Sequence, residues 1–374
     1  MQATAAILRE LDHQPPFAGA LEVVPVELAP PGPDEVLLRI AAAGVCHSDL
    51  SVINGDRPRP VPLVVGHEAA GVVEGVGSGV GSLQPGDHVV ATFVPSCGIC
   101  STCRGGRPVM CPSAQEANSR ASLVTGTRPF SEGGTPLNHH LGVSAFATYS
   151  VVSPRSLVKI SPDIPLHVAA VFGCAMLTGV GAVMNTAGVT AGASVAVFGL
   201  GGVGLAAVMG AVVAEAATVV GIDVVADKLT LASELGATAT INASSTDPVD
   251  ALRELSEGGV DWAFETAGSA AVLQQCYAAL SPGGTAVSVG IPHPDADFTI
   301  KALSLVAEEK GIRGSYMGSS VPGTDIPRLV ELYRQGRLPA DKLITRRGLA
   351  LDDLNDAIAA LAGGTQVRQI VEPA

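Results

Sequence analysis

One stretch of 30 residues constrains the fold more than any other part of the chain. Residues 194–223 contain a short apolar run, the turn Gly199-Leu200-Gly201-Gly202-Val203-Gly204, an alanine-rich run and a second apolar run that closes on Asp223. The turn fits G-x-G-x-x-G, in which glycines let a pyrophosphate lie against bare backbone at a helix N-terminus. Asp223 lies 19 positions after Gly204, near the offset of roughly 20 residues expected of a carboxylate that binds ribose hydroxyls. The stretch therefore predicts a strand–turn–helix–strand unit that binds a dinucleotide.

The same stretch is long enough to be considered as a membrane span. Residues 195–214 include no charge over 20 positions, and the mean hydropathy of the chain is +0.39. Against this, glycines crowd the run, and no Lys or Arg lies near either end to orient it. A strand covered by helices on both faces of a parallel sheet is also expected to be continuously apolar. We therefore predict no membrane segment.

The remainder of the chain shows two patterns. Residues 1 to about 175 carry short alternating runs separated by Pro-Gly and Gly-Asp turns, which is typical of a small irregular β-barrel. From about 178 to 316, expected strands near 194–198, 218–222, 238–241, 260–264, 284–289 and 311–315 alternate with expected helices near 203–214, 226–235, 247–256 and 269–280. This alternation predicts an α/β fold with a doubly wound parallel sheet of about six strands. The tail from about 317 is mixed and ends in a short strand at 367–371.

Composition excludes several classes of partner and location. The formal net charge of −13 would repel nucleic acid. The first residues, MQATAAILRELDH, carry charges where the apolar region of a signal peptide should be. Four of the seven cysteines lie within 15 residues, and without a signal peptide such a cluster indicates metal ligation rather than disulfides. We therefore expect a cytoplasmic protein with no nucleic-acid or membrane partner.

The most specific metal motif is Cys97-x2-Cys100-x2-Cys103-x7-Cys111. Four thiolates in one loop rich in Gly and Pro can close tetrahedrally on Zn²⁺ and leave no open position. The motif therefore predicts a structural zinc site.

A second set of ligand types is scattered through the chain. Cys46, His67 and Cys174 offer two thiolates and one imidazole, which would leave a fourth position open, as in a catalytic zinc site. Asp49 and Glu68 stand beside them, where carboxylates could orient the ligands. Each residue alone is ambiguous, because a single Cys or His is usually a buried structural side chain. Spacing in the sequence does not show that the three converge.

The motifs together carry a family resemblance over essentially the whole chain. CHSDL, GHEAAGVVEGVG, the four-cysteine loop, GCAMLTG and GLGGVG resemble the zinc-dependent medium-chain alcohol dehydrogenases. The long segment between Cys111 and Ser144 resembles the liver-type branch. The resemblance implies a GroES-like catalytic domain at 1–177 and 317–374 and a Rossmann NAD-binding domain at 178–316. It also implies a homodimer with two zinc ions per chain, one catalytic and one structural.

The resemblance assigns roles to individual residues. It implies that Cys46, His67 and Cys174 hold the catalytic zinc and that Ser48 takes the hydroxyl proton of the alcohol. The cofactor-binding residues that it implies are Thr178 and Val203 at the nicotinamide ring, His47 and Arg368 at the pyrophosphate, and Asp223 and Lys228 near the adenosine ribose. Primary alcohols, aliphatic or benzylic, are the substrates it favours.

Several positions depart from the family pattern. Ser51 stands where many relatives have the histidine that ends the proton relay, and Gln115-Glu116 replaces the loop arginine of the glutathione-dependent formaldehyde dehydrogenases. Arg57, Glu116 and His140 stand at substrate-channel positions that are often apolar. The replaced arginine counts against the glutathione-dependent activity, which is kept as one alternative. The other two alternatives are a zinc-free reductase of the same fold and a redox sensor without enzymatic activity.

Overall fold

The computed structural model describes residues 1–256 and 258–373. The chain divides into two compact units: unit 1 contains residues 1–174, 321–330 and 344–374, and unit 2 contains residues 175–320 and 331–343. Residues 331–343, which the resemblance would give to the catalytic domain, thus belong to unit 2, as do residues 175–177 and 317–320.

The strands of the described residues are numbered in chain order. They are β1 (Gln2–Leu8), β2 (Leu21–Leu28), β3 (Val36–Val45), β4 (Leu63–Val64), β5 (Ala69–Val76), β6 (His88–Ala91), β7 (Phe130–Glu132), β8 (Thr135–Pro136), β9 (Asn138–His139), β10 (Tyr149–Val152), β11 (Leu157–Lys159), β12 (Ser194–Phe198), β13 (Thr218–Asp223), β14 (Ala239–Asn242), β15 (Val260–Glu265), β16 (Leu280–Ser288), β17 (Gly311–Gly314), β18 (Ile344–Leu349) and β19 (Arg368–Val371).

The α-helices are numbered in the same way. They are α1 (His47–Ile53), α2 (Ser101–Arg104), α3 (Pro112–Ser119), α4 (Leu166–Ala170), α5 (Ala175–Gly181), α6 (Gly202–Val213), α7 (Ala226–Glu234), α8 (Pro248–Leu255), α9 (Ala270–Ala278), α10 (Ala302–Ala307), α11 (Pro322–Arg334) and α12 (Leu354–Ala362).

Unit 1 is built from two mostly antiparallel sheets. One has the order β8-β7-β2-β1-β4-β9, and the other has the order β11-β6-β5-β3-β19-β18 with β10 also paired to β3. Alternate residues of β3 are fully buried, including Val36, Leu38 and Ile40, and they pack with Phe146 and Ile358 in the main core of this unit. The second sheet is nearly closed, so the predicted barrel-like domain is confirmed.

Unit 2 is a parallel sheet of order β14-β13-β12-β15-β16-β17. Every neighbouring pair in it is parallel. In sequence order this is 3-2-1-4-5-6, the doubly wound arrangement that binds dinucleotides where the order reverses. The reversal lies at β12, the strand that enters the glycine turn. The predicted α/β class and the six-stranded sheet are thus confirmed.

The apolar stretch at 195–214 is not one long helix. It is divided into strand β12 and helix α6, which are joined by the glycine turn. Among the described residues, no single helix is long and apolar enough to cross a membrane. One broken pair, Leu166–Gly173 with Ala175–Ala187, reaches that length and composition, but most of its side chains are buried.

Candidate functional site

The four-cysteine loop forms a compact sulfur cluster in unit 1. The four Sγ atoms of Cys97, Cys100, Cys103 and Cys111 lie within 4.8 Å of one another. The Sγ atoms of Cys97 and Cys103 are 4.0 Å apart, as are those of Cys100 and Cys111. Zn–S bonds of about 2.3 Å place tetrahedral sulfurs roughly 3.8 Å apart, so the spacing of these thiols suits zinc.

Backbone geometry also prepares the loop for a cation. The N–H of Cys97 donates to Cys111 Sγ, and the N–H of Cys100 donates to Cys97 Sγ, both at 3.3 Å. N–H groups directed at sulfur favour the thiolate, which is the form that binds metal. The Thr102 hydroxyl lowers the pKa of Cys100 to about 6 for the same reason.

The scattered ligands converge in a second cluster of unit 1. Cys46 comes at the end of β3 and caps α1, His67 lies between β4 and β5, and Cys174 follows the turn at 171–173. Their ligand atoms and the carboxylate of Glu68 lie within 4.8 Å of one another, and all four residues are buried. Elements separated by over 100 residues thus meet at one point, which spacing in the sequence could not show.

The His67 ring is held in the orientation that a metal ligand needs. Its Nδ1 lies 2.9 Å from Asp49 Oδ1, and the other oxygen of Asp49 accepts the N–H of Cys46 at 3.1 Å. His67 Nε2 is buried and has no hydrogen-bond partner in the described chain. A buried nitrogen left without a partner is costly, and a metal ion would satisfy it. This contact agrees with the expectation that Asp49 orients a ligand, and that role stays a prediction.

The two thiols of this cluster support the same assignment. The hydrogen bond between Cys174 and Cys46 lowers the pKa of Cys46 well below its usual value and raises the pKa of Cys174, so Cys46 is the thiolate of the pair. A thiolate is the ligand form for zinc. Two sulfurs and one imidazole therefore fit Zn²⁺ and leave a fourth position for substrate.

Glu68 and Arg368 form a buried ion pair beside these ligands. Arg368 Nη1 lies 3.3 Å from Glu68 Oε2 and donates to the carbonyl of Val45 at 3.0 Å. Burial raises the pKa of Glu68 to about 7, although the charge of Arg368 opposes the shift. Arg368 is only 3% exposed, and the contacts described above join it to Glu68 and to the carbonyl of Val45. Its role at a pyrophosphate stays a prediction.

The glycine turn of unit 2 has the geometry of a phosphate cradle. Gly199 has a φ of +88°, which favours glycine, and Gly201 caps α6. A Cβ on Gly204 would lie 1.9 Å from the carbonyl oxygen of Gly199, whereas a Cβ on Gly201 would meet nothing within 4 Å. Gly204 is therefore required for packing, and Gly201 leaves open space in front of the helix N-terminus, where anions bind. Gly202 and Val203 begin the helix itself.

The other residues with predicted roles occupy these elements. Ser48 is half-buried and His47 is exposed, both in the first turn of α1. In unit 2, Thr178 lies on α5, and Lys228 lies on α7 after Asp223. Nothing in the structure tests their roles, which stay predictions.

His140 is buried beside the His67 ring. It is 1% exposed, and its ring meets that of His67 edge-on with centroids 5.9 Å apart. Burial, with His67 and Arg59 adding to the effect, lowers the pKa of His140 well below its usual value. Its distance from the ligands could not be read from the chain, where 73 positions separate it from His67.

Comparisons with known proteins match two separate ranges of the chain. Residues 32–162 match the alcohol dehydrogenase GroES-like domain, and residues 202–335 match the zinc-binding dehydrogenase domain. S-(hydroxymethyl)glutathione dehydrogenase from Escherichia coli O157:H7 is 38% identical over 94% of this chain and 96% of its own. This chain belongs to the zinc-dependent medium-chain alcohol dehydrogenase family.

Solved structures of the family agree along the full length. An alcohol dehydrogenase zinc-binding domain protein from Burkholderia ambifaria is 39% identical with a TM-score of 0.94, covering 100% of this chain and 99% of its own. Benzyl alcohol dehydrogenase from Acinetobacter calcoaceticus is 34% identical with a TM-score of 0.93, and each chain is covered completely. The medium-chain dehydrogenase is thus an oxidoreductase that uses zinc and a nicotinamide cofactor.

Proposed function

We propose that this family member transfers hydride between a primary alcohol, aliphatic or benzylic, and NAD. The observation that carries the proposal is the convergence of Cys46, His67 and Cys174 with His67 Nε2 left without a partner. Three ligands with a fourth position open suit a catalytic zinc rather than a structural one. This argues against a zinc-free reductase and against a redox sensor, neither of which needs such a set.

The residues of unit 1 would prepare the alcohol for oxidation. Cys46, His67 and Cys174 would hold the metal, and Asp49 would keep the His67 ring oriented through its 2.9 Å contact. Zinc, when bound, acts as a Lewis acid that lowers the pKa of the alcohol hydroxyl, and the nicotinamide ring accepts hydride.

The proton would leave through Ser48. A serine hydroxyl cannot store a proton, so Ser48 would accept it from the alcohol only while passing another to the next group or to water. Ser51 lies one turn further along α1, but its hydroxyl donates to the carbonyl of His47 at 2.9 Å. We therefore infer that the proton reaches bulk water without a terminal histidine.

Unit 2 would bind NAD and correspond to the Rossmann domain, and unit 1 to the catalytic domain. Gly199, Gly201, Gly202 and Gly204 would receive the pyrophosphate at the N-terminus of α6. Asp223 and Lys228 would bind the adenosine ribose, and Thr178 and Val203 would contact the nicotinamide.

A glutathione adduct is the second candidate substrate, because a relative at 38% identity has that activity in its name. The sequence argues against it, because Gln115-Glu116 stands where the glutathione-dependent dehydrogenases have a loop arginine that would meet a glutathione carboxylate. The deciding experiment is a panel of primary alcohols, aldehydes and S-(hydroxymethyl)glutathione, scored by kcat/KM with NAD. A preference for the glutathione adduct over all simple alcohols would refute the proposal.

We also infer that two copies of the chain form a dimer through the edge of the unit 2 sheet. β17 pairs only with β16 in the described chain, so its outer edge is open. Next to it in sequence, Leu303 and Val306 of α10 are 76% and 80% exposed. Open edges and exposed apolar side chains are typical of interfaces. Sedimentation should give a dimer, and Val306→Asp should shift it towards monomer; a monomeric wild-type protein would refute this assembly.

The cytoplasm is the location that we expect. The seven cysteines form no disulfide, and six of them lie in the two proposed zinc clusters, a use of cysteine that suits a reducing compartment.

A further inference from the structure

His140 is a buried polar side chain with no hydrogen-bond partner among the described residues. Neither Nδ1 nor Nε2 has one in the described chain, although the residue is 1% exposed. A buried polar atom left unpaired costs about 1–3 kcal/mol. Because an apolar side chain would avoid this cost, we expect a bound ligand to supply the hydrogen-bond partner that His140 lacks.

One of the two nitrogens faces an acceptor. His140 Nδ1 lies 3.6 Å from Asp49 Oδ1, just beyond hydrogen-bond distance. A carboxylate oxygen can only accept, so the hydrogen of a neutral His140 ring is best placed on Nδ1. Nε2 is then an acceptor that nothing in the described chain satisfies.

The position of the ring relates this acceptor to the proposed substrate site. Both Nδ1 atoms face Asp49 Oδ1, at 2.9 Å from His67 and 3.6 Å from His140, so the Nε2 atoms of the two rings are the nitrogens left for a metal and a substrate. The ring centroids are 5.9 Å apart, so an alcohol held beside His67 could carry a second group that reaches His140.

We propose that His140 is a specificity-determining residue, and that its Nε2 accepts a hydrogen bond from a second hydroxyl of the substrate. This inference rests on the proposed function. The substrate class is a primary alcohol that carries a further hydroxyl a few bonds from the reacting carbon. A site built to bind a hydroxyl rejects analogues that lack it, because its own buried group is then left unpaired.

The test compares 2-hydroxybenzyl alcohol with 2-methoxybenzyl alcohol, which has a similar shape but no hydrogen to donate. The wild-type enzyme should favour the hydroxyl compound by about tenfold in kcat/KM, the effect of roughly 1.4 kcal/mol. The same preference should appear in Kd for the non-reacting complexes formed in the presence of NADH. Equal Kd values for the two compounds in the wild-type enzyme would overturn the proposal without any variant.

Two variants then assign the preference to His140. His140→Phe removes the acceptor and should bring the ratio to about one, whereas His140→Gln keeps an acceptor and should retain part of the preference. Zinc content is measured in each. If His140→Phe lowers zinc content and both alcohols fall together at an unchanged ratio, His140 positions Asp49 instead and the proposal is wrong.

Failure of this inference is distinguishable from failure of the proposed function. If benzyl alcohol is oxidised with NAD but the hydroxyl compound has no advantage, only the assignment of His140 fails. If the zinc-loaded wild-type enzyme oxidises no alcohol on the panel, the proposed function fails and this inference falls with it.

Discussion

The carboxylate of Asp223 accepts a hydrogen bond at 2.6 Å from the backbone N–H of Leu200, inside the glycine turn. Its other oxygen accepts from the N–H groups of Val224 and Val225 at 2.8 and 3.0 Å. These bonds fix the carboxylate at the carboxyl end of β13 before any ribose arrives. A fixed negative charge there would repel a 2′-phosphate.

We therefore expect NAD to be preferred over NADP by at least ~100-fold in kcat/KM, from a few kcal/mol of repulsion at ~1.4 kcal/mol per decade. Asp223→Ser should reduce that ratio, whereas Asp227→Ser, which removes an exposed charge in the first turn of α7, should leave it nearly unchanged. Steady-state kinetics with both cofactors measures the ratios. Equal activity of the wild-type enzyme with both would contradict this role of Asp223.

The two metal clusters should respond differently to loss of one sulfur. Cys46→Ser should abolish turnover and leave the chain folded, because residues beside the ligands, such as Val45 and Val65, are held by the core of unit 1. Cys103→Ser should lower thermal stability and soluble yield, since a structural zinc contributes folding free energy directly. Zinc content, Tm and turnover are measured for both variants. A stable but inactive Cys103→Ser protein would mean that the roles are reversed.

Proton release should depend on Ser48 and hardly on Ser51. The Ser51 hydroxyl is engaged with the carbonyl of His47, so Ser48→Ala should be far more damaging than Ser51→Ala at every pH. Ser51→His should raise alcohol oxidation more below about pH 7 than at pH 9, because a positioned base contributes most where hydroxide is scarce. Equal damage from both alanine variants, with zinc content and NAD affinity unchanged, would make Ser51 an essential relay member.

Substitutions at two glycines of the turn should distinguish a role in packing from a role in NAD binding. Gly204→Ala places a Cβ against the backbone oxygen of Gly199 and should destabilise unit 2 by about 1–3 kcal/mol, as overpacking does. Gly201→Ala meets no protein atom within 4 Å, so it should keep Tm and weaken NAD affinity. Thermal unfolding without cofactor and NAD titration measure the two effects. A Tm loss for Gly201→Ala as large as that for Gly204→Ala would contradict this division.

Acid should destabilise unit 1 partly through His139. Burial lowers the pKa of His139 to about 4, against about 6.5 in an unfolded chain. As pH falls from 6.5 towards 4 the unfolded chain takes up a proton that the folded protein resists, so the free energy of unfolding falls, by at most roughly 3 kcal/mol. The ring donates to the carbonyl of Val151 at 3.1 Å, and His139→Gln keeps a donor there.

As the pH falls from 7 to 5, the free energy of unfolding should therefore decrease more for the wild type than for His139→Gln. Urea titrations at each pH measure it, and acid loss of zinc affects both proteins alike. Parallel pH curves would show that His139 does not contribute.

Unit 2 could be predicted almost element by element because its signals are local. The expected strand at 194–198 is β12, and the expected helix at 226–235 is α7 at Ala226–Glu234. An apolar run bounded by turns indicates a buried strand, whichever strands it pairs with. Helices α11 and α12 were not predicted, since the mixed tail gave no period to separate them from loops.

The metal cluster depends on contacts that local patterns do not contain. Residue types left Cys46, His67 and Cys174 ambiguous, and the family resemblance implied that they are ligands, but only the folded chain brings them together. Arg368 is an example of a contact that the sequence did not indicate. The resemblance implied a phosphate contact for it, whereas the structure pairs it with Glu68. Such a pair could be found from sequence only by seeing that β19 lies beside β3.

The position of β19 has a consequence for how the enzyme is made. β19 pairs with β3 in unit 1, yet 323 positions separate Val45 from Arg368, and the sheet of unit 2 is encoded between them. At synthesis rates of about 5–20 residues per second, the ribosome needs roughly 15 s to a minute to reach Arg368 after Val45. During that time β3 lacks its neighbour β19, and Glu68 lacks its ion-pair partner Arg368. The nucleotide-binding half can thus finish folding before the half that holds zinc.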